Sequence, residues 1–227
     1  MNAMETEERV IPLKGMRGMI ADNMRRSLDE AAQLTHHADC DVTALLAHKE
    51  QLAGQAIKVS VEDLLCDCIV RALQRHPDLN GRVEEREVRL SRAIHLSVAI
   101  ALPGNLLVAP TLFNADEHAL PTRAEARKDL IARARVGKLS VAEMTQGTFT
   151  VSNLGLSRVR YFTPIINIPQ IAILGVGQTV QRPRVLADGS VAVRAMMGLS
   201  LTFDHRAVDG GPAADFLSTL CALIEQV

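Results

Sequence analysis

Apolar residues recur every three or four positions in several segments, a period typical of amphipathic helices packed on a core. Two of these segments open on a capping pattern, in which a hydroxyl residue is followed three positions later by an acid: Ser60 with Asp63, and Thr122 with Glu125. Gly137 suits the left-handed C-terminal position of the helix that Thr122 would open. The pattern predicts helices over residues 15–33, a segment ending near 54, 60–76, 122–137 and about 212–225.

Between these helices, apolar runs bounded by turn residues predict β-strands. Residues 83–90 read as a short hairpin, and Ile94 to Phe113 read as a longer one around the turn at 103–105. Further strands are predicted at 148–152 and 172–177, and on both sides of an Asp-Gly turn at 188–189. A chain of 227 residues without repeats or long linkers fits one domain, and the pattern alone supports a mixed α/β fold.

Charge and composition narrow the classes of partner. The 25 basic and 26 acidic residues give a net charge of −1, so no strong field would attract nucleic acid or an anionic membrane. One tyrosine and no tryptophan leave little aromatic surface for base stacking. The longest apolar run, 93–110, is interrupted by polar and turn residues and is too short to span a bilayer. We therefore expect neither a nucleic-acid nor a membrane partner.

The cysteines and the paired histidines predict neither a disulfide nor a metal site. The four cysteines form no C-x-x-C pair, and we expect reduced thiols in a cytoplasmic protein. His36, His37, Asp39 and Asp41 are close in sequence, but strand alternation would divide them between two faces, and no second cluster supplies further ligands. We expect no metal site.

The strongest chemical signal lies near the C-terminus, where an apolar strand-like run ends in His205. Asp204 precedes this histidine, Arg206 follows it, and Asp209 stands four positions later, before a double glycine. An imidazole is the side chain best suited to move a proton near neutral pH. A polar turn with a local ion pair is the alternative interpretation of the same residues.

This stretch resembles the D-H-R-x-x-D-G signature of the 2-oxoacid dehydrogenase acyltransferases, the E2 components that pass acyl groups between dihydrolipoamide and coenzyme A. Other segments resemble the same family, including the G-T-F-T-V-S-N-L-G run at 147–155. The resemblance extends from about residue 10 to the end. The further matching segments are 12–17, 41–45, 76–80, 137–144 and 162–177.

The resemblance implies an α/β fold like that of chloramphenicol acetyltransferase, a two-layer sandwich with a mixed sheet in a single domain. We assign residues 10–227 to this catalytic domain, and 1–9 to a disordered or vector-derived segment. Family members carry lipoyl and peripheral-subunit-binding domains ahead of this region, and we expect neither in this sequence.

The resemblance also implies the chemistry. The chain would move an acyl group, acetyl by default, between dihydrolipoamide and coenzyme A, with His205 as general base and Ser152 as donor to the oxyanion. Without the family, Ser152 reads equally well as a strand-end serine bonded to local backbone. Asp209 would hold the histidine loop in shape, often through an arginine in this superfamily. Arg206 and Arg17 are both candidates for that arginine.

Coenzyme A contacts are implied at Lys49, Ser60 and Asn153, with no metal. Three features depart from the family pattern, and one of them is Ile168, which stands where the family's N-P-P-Q segment has its first proline. Lys49 stands where the family has an arginine, and it keeps the charge while losing the fork of donors. The hairpin at 99–107 lacks the aspartate and the glycine usual there.

The implied partners are two further copies in a homotrimer, a lipoyl-bearing protein and the dehydrogenase components, with assembly into a larger cage left open. His205 and Ser152 would then come from neighbouring subunits. The sequences at 15–18 and 33–36 resemble those of acetoin-type complexes more than those of the other complexes. Two alternatives stay open: a coenzyme A-dependent acetyltransferase for a free small molecule, and a non-catalytic E2-like assembly core.

Overall fold

The computed structural model describes residues 10–104 and 106–227, so the segment 1–9 predicted to be disordered or vector-derived lies outside the described residues. The helices are α1 (Gly15–Glu30), α2 (Thr43–Gly54), α3 (Val61–Arg75), α4 (Leu120–Arg135), α5 (Val141–Thr145) and α6 (Gly210–Glu225), with a 3-10 turn at Pro77–Leu79. The strands are β1 (Gln33–Asp41), β2 (Gly81–Glu84), β3 (Glu87–Leu90), β4 (Leu96–Val98), β5 (Ile100–Leu102), β6 (Leu106–Val108), β7 (Thr111–Leu112), β8 (Phe149–Asn153), β9 (Ala172–Val185) and β10 (Val191–Asp204). Within the described ranges, no helix is both long and apolar enough to cross a membrane.

Six strands form the main sheet in the order β1-β10-β9-β8-β4-β7. Strand β8 is parallel to both β4 and β9, whereas the other neighbours are antiparallel. Strands β2 and β3 form a two-stranded ribbon of their own, and β5-β6 continues the antiparallel pairing of β4 with β7 beyond the six-stranded sheet. The mixed sheet confirms the predicted α/β class.

The main core lies between one face of the sheet and a layer of helices. Alternate residues of β10, Leu199, Leu201 and Phe203, are fully buried on that face, together with Leu73 of α3 and Phe216 of α6. Burying a side chain of this size contributes about 1.5–3 kcal/mol to folding. Strand β10, which leads into His205, is thus anchored by this core.

On the opposite face, β9 and β10 are covered in part by the segment that contains Arg160, Tyr161 and Phe162. A Cβ atom added at Gly177 or at Gly198 would lie 1.9 or 2.0 Å from the carbonyl oxygen of Arg160, so only glycine lets this segment approach. The buried Ser27 of α1 donates to the carbonyl of Ile166 at 2.6 Å, which attaches α1 to the covering segment.

Several helix boundaries differ from the sequence prediction. The capping box of Ser60 and Asp63 is confirmed. The Thr122 box is wrong: α4 begins at Leu120, and proline at its second position suits a first turn whose N–H groups need no intrahelical partner. Helix α1 ends at Glu30 and not at Gln33, because Gln33 begins β1 and its amide donates to Ser27.

The long hairpin predicted from Ile94 to Phe113 is confirmed. Leu96 faces Leu112 across β4-β7, and Ile100 faces Val108 across β5-β6, in one antiparallel register. The half nearer the chain ends also belongs to the main sheet through β4, and the N–H of Ala99 donates to Val151 of β8 at 2.8 Å. The predicted turn at 103–105 includes Asn105, which lies outside the described residues.

Candidate active site

His205 follows β10 directly and lies in the turn before α6. Its N–H donates to the carbonyl of Ala32 at 2.9 Å, and its side chain is 45% exposed. The Nδ1 atom lies 3.7 Å from an Asp209 carboxylate oxygen, which is too long for a hydrogen bond. Among the described residues, Nε2 of His205 has no hydrogen-bond partner. The imidazole is therefore fixed through its backbone while its ring stays open to a ligand.

Asp204 holds this turn, and its side chain is only 2% exposed. One carboxylate oxygen accepts from the N–H groups of Ala32 and Arg206, at 3.2 and 3.0 Å. Both oxygens accept from the Arg206 guanidinium, at 2.6–3.0 Å, and this pairing raises the pKa of Arg206. The carbonyl of Asp204 also accepts from the N–H groups of Ala207 and Val208, at 2.9 and 3.1 Å. Asp204 therefore shapes the loop on which His205 stands.

Asp209 was predicted to bind Arg206 or Arg17, but both arginines have other partners in this structure. Arg206 pairs with Asp204, and Arg17 donates to the carbonyl of Gly104 at 3.2 Å. The Asp209 side chain is 84% exposed, and the residue precedes α6 as its N-cap without a side-chain capping bond. The role of Asp204 was missed from sequence, although an acid two positions before an arginine at a strand end carries that signal.

Ser152 lies near the end of β8, on a different part of the sheet from His205. Its neighbour in β9 is Gly175, and the neighbour of Gly175 in β10 is Ser200. His205 follows Ser200 by five residues, about 16 Å along an extended strand. One chain therefore does not bring the two predicted catalytic groups together. Among the described residues, the Ser152 hydroxyl has no hydrogen-bond partner.

Ser60 and Asn153, both predicted to contact coenzyme A, lie in one polar cluster. The Ser60 hydroxyl donates to Asp63 at 2.6 Å and accepts from Arg127 at 2.9 Å. The Asn153 amide donates to Glu62 at 3.1 Å, and Arg127 also binds Glu62. The single donor of Ser60 is thus already used, while Asn153 is exposed beside Ser152.

Two other features of the predicted coenzyme A site lie apart from this cluster. Lys49 is on α2, where its ammonium group binds Glu50 at 2.9 Å. Of the altered hairpin, residues 100–102 lie in β5 and residues 106–107 lie in β6, at the turn end of the 94–113 hairpin. Within the described ranges, Lys49 makes no hydrogen bond or ion pair with Ser60 or Asn153, so the structure does not join it to that cluster.

The histidine and aspartate cluster of β1 is used for structural contacts. His37 Nδ1 and the Ser200 hydroxyl are 2.9 Å apart, and Asp39 binds Tyr161 and Arg182. These bonds lower the pKa of Asp39, with the tyrosine contribution the largest. In the part of the chain that is described, no group of three side chains is arranged to hold a metal ion. All four cysteines are free thiols.

Comparison with known proteins now decides the family. Residues 5–227 match the family model of the 2-oxoacid dehydrogenases acyltransferase catalytic domain. The chain belongs to this acyltransferase family. It is 36% identical over 228 residues to the dihydrolipoyllysine-residue acetyltransferase component of the acetoin cleaving system of Bacillus subtilis, covering 98% of this chain and 56% of that protein.

Solved structures agree with this family assignment. The dihydrolipoamide acetyltransferase of Azotobacter vinelandii, investigated for the role of a serine, a histidine and an asparagine in its catalytic mechanism, superimposes with a TM-score of 0.89 at 30% identity, covering 99% of this chain and 94% of that one. Chloramphenicol acetyltransferase superimposes with a TM-score of 0.58 at 16% identity, covering 96% and 97%, which confirms the predicted fold alone. The chain spans about half the length of the curated relatives it matches.

Proposed function

We propose that this chain is the catalytic domain of an E2 enzyme that transfers an acyl group, acetyl by default, between coenzyme A and a dihydrolipoyl group carried on another protein. The observation that carries the proposal is a pair of chemically available groups. Nε2 of His205 and the Ser152 hydroxyl both lack a hydrogen-bond partner within the described residues, although each stands on well-anchored backbone.

The spacing of these residues supports the proposal. In the Azotobacter vinelandii enzyme the histidine follows the serine by 52 residues, and the asparagine follows the histidine by four. In this chain His205 follows Ser152 by 53 residues, and Asp209 follows His205 by four. Asp209 thus takes the place of the asparagine, with a carboxylate where that enzyme has an amide.

The chemistry needs a base and a donor. A free thiol has a pKa near 8.5 and is mostly protonated at neutral pH, so His205 would remove its proton through Nε2. The thiolate then attacks the acyl carbonyl, and the Ser152 hydroxyl donates to the oxyanion of the tetrahedral intermediate. Collapse expels the second thiolate, which takes back the proton from His205. Each direction exchanges one thioester for another of similar energy, so the reaction is reversible.

The separation of His205 and Ser152 within one chain supports a site built between subunits, and we propose a homotrimer. Mixed oligomers test this directly. His205→Ala and Ser152→Ala chains should each be nearly inactive, whereas oligomers assembled from an equal mixture should recover about a quarter of the wild-type activity, because one site in four combines two intact halves. Mixtures that stay as inactive as their components would refute the shared site.

Transfer from acetyl-CoA to dihydrolipoamide, compared with transfer to a panel of amines and alcohols, tests the reaction itself. His205→Ala should lower kcat by roughly 10²–10⁴-fold. The matched control is His48→Ala on α2, which removes an imidazole without a hydrogen-bond partner in the described ranges. Preference for an amine or alcohol would instead identify an enzyme for a free small molecule. Wild-type protein inactive with every acceptor would point to a non-catalytic assembly core.

The physiological partners follow from the relatives. The Bacillus subtilis protein is a component of an acetoin cleaving system, and other relatives are components of pyruvate, 2-oxoglutarate or branched-chain dehydrogenase complexes. We therefore propose that a lipoyl-bearing protein and a dehydrogenase component act with this domain. The identity of the acyl group would then be set by the substrate of that dehydrogenase. Acyl-CoA thioesters of different chain length, assayed in parallel, would rank the substrates.

A further inference from the structure

The buried side of α4 carries two arginines in place of apolar residues. Arg123 is 6% exposed and Arg127 is 8% exposed. Burying a guanidinium is costly unless charged and polar partners saturate it, and here α3 supplies the acids. Arg123 binds Asp67 at 2.8 Å, and Arg127 binds Asp63 at 2.6 Å. The two helices are thus joined by two ion pairs, one with the buried Asp63 and one with the half-buried Asp67.

The two arginines differ in the hydrogen-bond partners that they have besides Asp67 or Asp63. The remaining donors of Arg123 go to the carbonyls of Ala115 and His118, in the segment just before α4 and at 2.9 and 2.6 Å. Those of Arg127 go to Ser60 and to Glu62, the second residue of α3. Only the Arg127 pair therefore reaches the end of α3 that faces strand β8.

Glu62 continues the network to the strand that carries the proposed oxyanion donor. One of its oxygens binds Arg127, and the other accepts from the Asn153 amide at 3.1 Å. The oxygen of the same Asn153 amide accepts from the N–H of Gly155 at 2.8 Å, which closes the turn after β8. Ser152 is the next residue back along the strand.

We propose that Arg127 and Glu62 are positioning residues for acyl transfer. Arg127 fixes Glu62, Glu62 fixes the Asn153 amide, and the end of β8 is thereby held so that the Ser152 hydroxyl meets the developing oxyanion. The inference rests on the proposed function. It assigns the network a role in the reaction in addition to its contribution to stability, because a displacement of about 1 Å in a reacting group costs up to roughly 10²-fold in rate.

Glu62→Ala is the variant of choice, because Arg127 keeps Asp63 and Ser60 as partners and no buried charge loses its only partner. We expect kcat to fall about tenfold, with KM for dihydrolipoamide changed less than threefold. Glu62→Gln keeps one acceptor oxygen and should lose less. Combining Glu62→Ala with Arg127→Met should lower kcat no further than the worse single variant, since both act through one network.

Asp67→Ala is the matched control. It removes the α3 acid from the other ion pair and should lower the unfolding temperature while leaving kcat within twofold. Amide hydrogen exchange at residues 151–155 gives a readout that does not need activity: Glu62→Ala should speed exchange there, and Asp67→Ala should not.

Unchanged kcat in Glu62→Ala, or an equal loss of kcat in Asp67→Ala, would overturn the positioning role. Unchanged exchange at residues 151–155 in Glu62→Ala would overturn the mechanical link itself. A wild-type protein that transfers no acyl group would refute the proposed function instead, and the exchange comparison would still decide whether Glu62 holds the end of β8.

Discussion

Replacing Asp204 should damage both stability and activity, and by different amounts for two substitutions. Its side chain is 2% exposed and accepts from two backbone N–H groups and from the Arg206 guanidinium. Asp204→Ala removes every one of these acceptors. Asp204→Asn keeps one oxygen for the two backbone N–H groups and loses the charge and the second oxygen that binds Arg206.

The magnitudes follow from what each change leaves without a partner. In Asp204→Ala, the two N–H groups would each cost about 1–3 kcal/mol if they stay unsatisfied, so the free energy of unfolding should fall by about 2–6 kcal/mol. Arg206 is 40% exposed and can be hydrated, so its release adds little. Asp204→Asn should lose about 1–3 kcal/mol, the contribution of hydrogen bonds to a charged group.

Urea unfolding and acyl transfer, measured on the same preparations, check this ranking. Because His205 stands on the loop that Asp204 organises, kcat should fall up to about 10²-fold in Asp204→Ala and less in Asp204→Asn. Asp215→Asn, a change at an exposed position of α6, is the control and should alter neither quantity. An Asp204→Ala protein within 0.5 kcal/mol of wild type, or with kcat within twofold, would show that Asp204 does not hold this loop.

Three further predictions concern the scaffold. Gly177→Ala would place a Cβ atom 1.9 Å from the Arg160 carbonyl oxygen, so we expect a loss of more than about 3 kcal/mol on urea unfolding, whereas a mild effect would mean that the covering segment moves easily. Ser27→Ala should cost about 1–3 kcal/mol by the same assay, and no loss would show that its buried hydrogen bond is replaced by water. Asp63 has a pKa below its usual 3.8, because hydrogen bonds and charge from Arg127 and the Ser60 cap outweigh burial. Its contribution to stability is thus complete above pH 3.8 and is lost as the pH falls through the lowered pKa, so wild-type stability should drop more steeply below pH 4 than that of Asp63→Asn, and parallel curves would contradict the shift.

Local signals predicted what local chemistry controls. The Ser60 capping box forms because both of its hydrogen bonds lie within four residues. The Thr122 pattern failed although its residues are equally suitable, because a proline at position 121 and the packing of α4 allow the helix to begin earlier. The signature around His205 identified a loop correctly, but it could not show that Asp204 and not Asp209 takes Arg206, since that choice depends on which side chain is buried against Ala32.

Long-range contacts account for what the sequence left open. The hairpin at 94–113 was predicted from local signals, but β4 also has a parallel neighbour in β8, some fifty residues later, and apolar alternation does not encode that partner. The ion pairs between α3 and α4 could not be predicted either, because their partners are more than fifty residues apart in the sequence. Arg127 reads as an exposed residue in a charged helix, and only the packing of α4 on α3 shows it to be buried against Asp63 and Glu62.

In the proposed site shared between subunits, each catalytic group would depend on the rigidity of its own chain, because His205 and Ser152 lie at separate places on the sheet. Each half would have to be rigid before the subunits meet. Buried charge meets that requirement at both places, through Asp204 with Arg206 at one and Arg127 with Glu62 at the other. Hydrogen bonds to a charge are directional and strong, and therefore fix the orientation of a loop or strand end better than apolar packing alone.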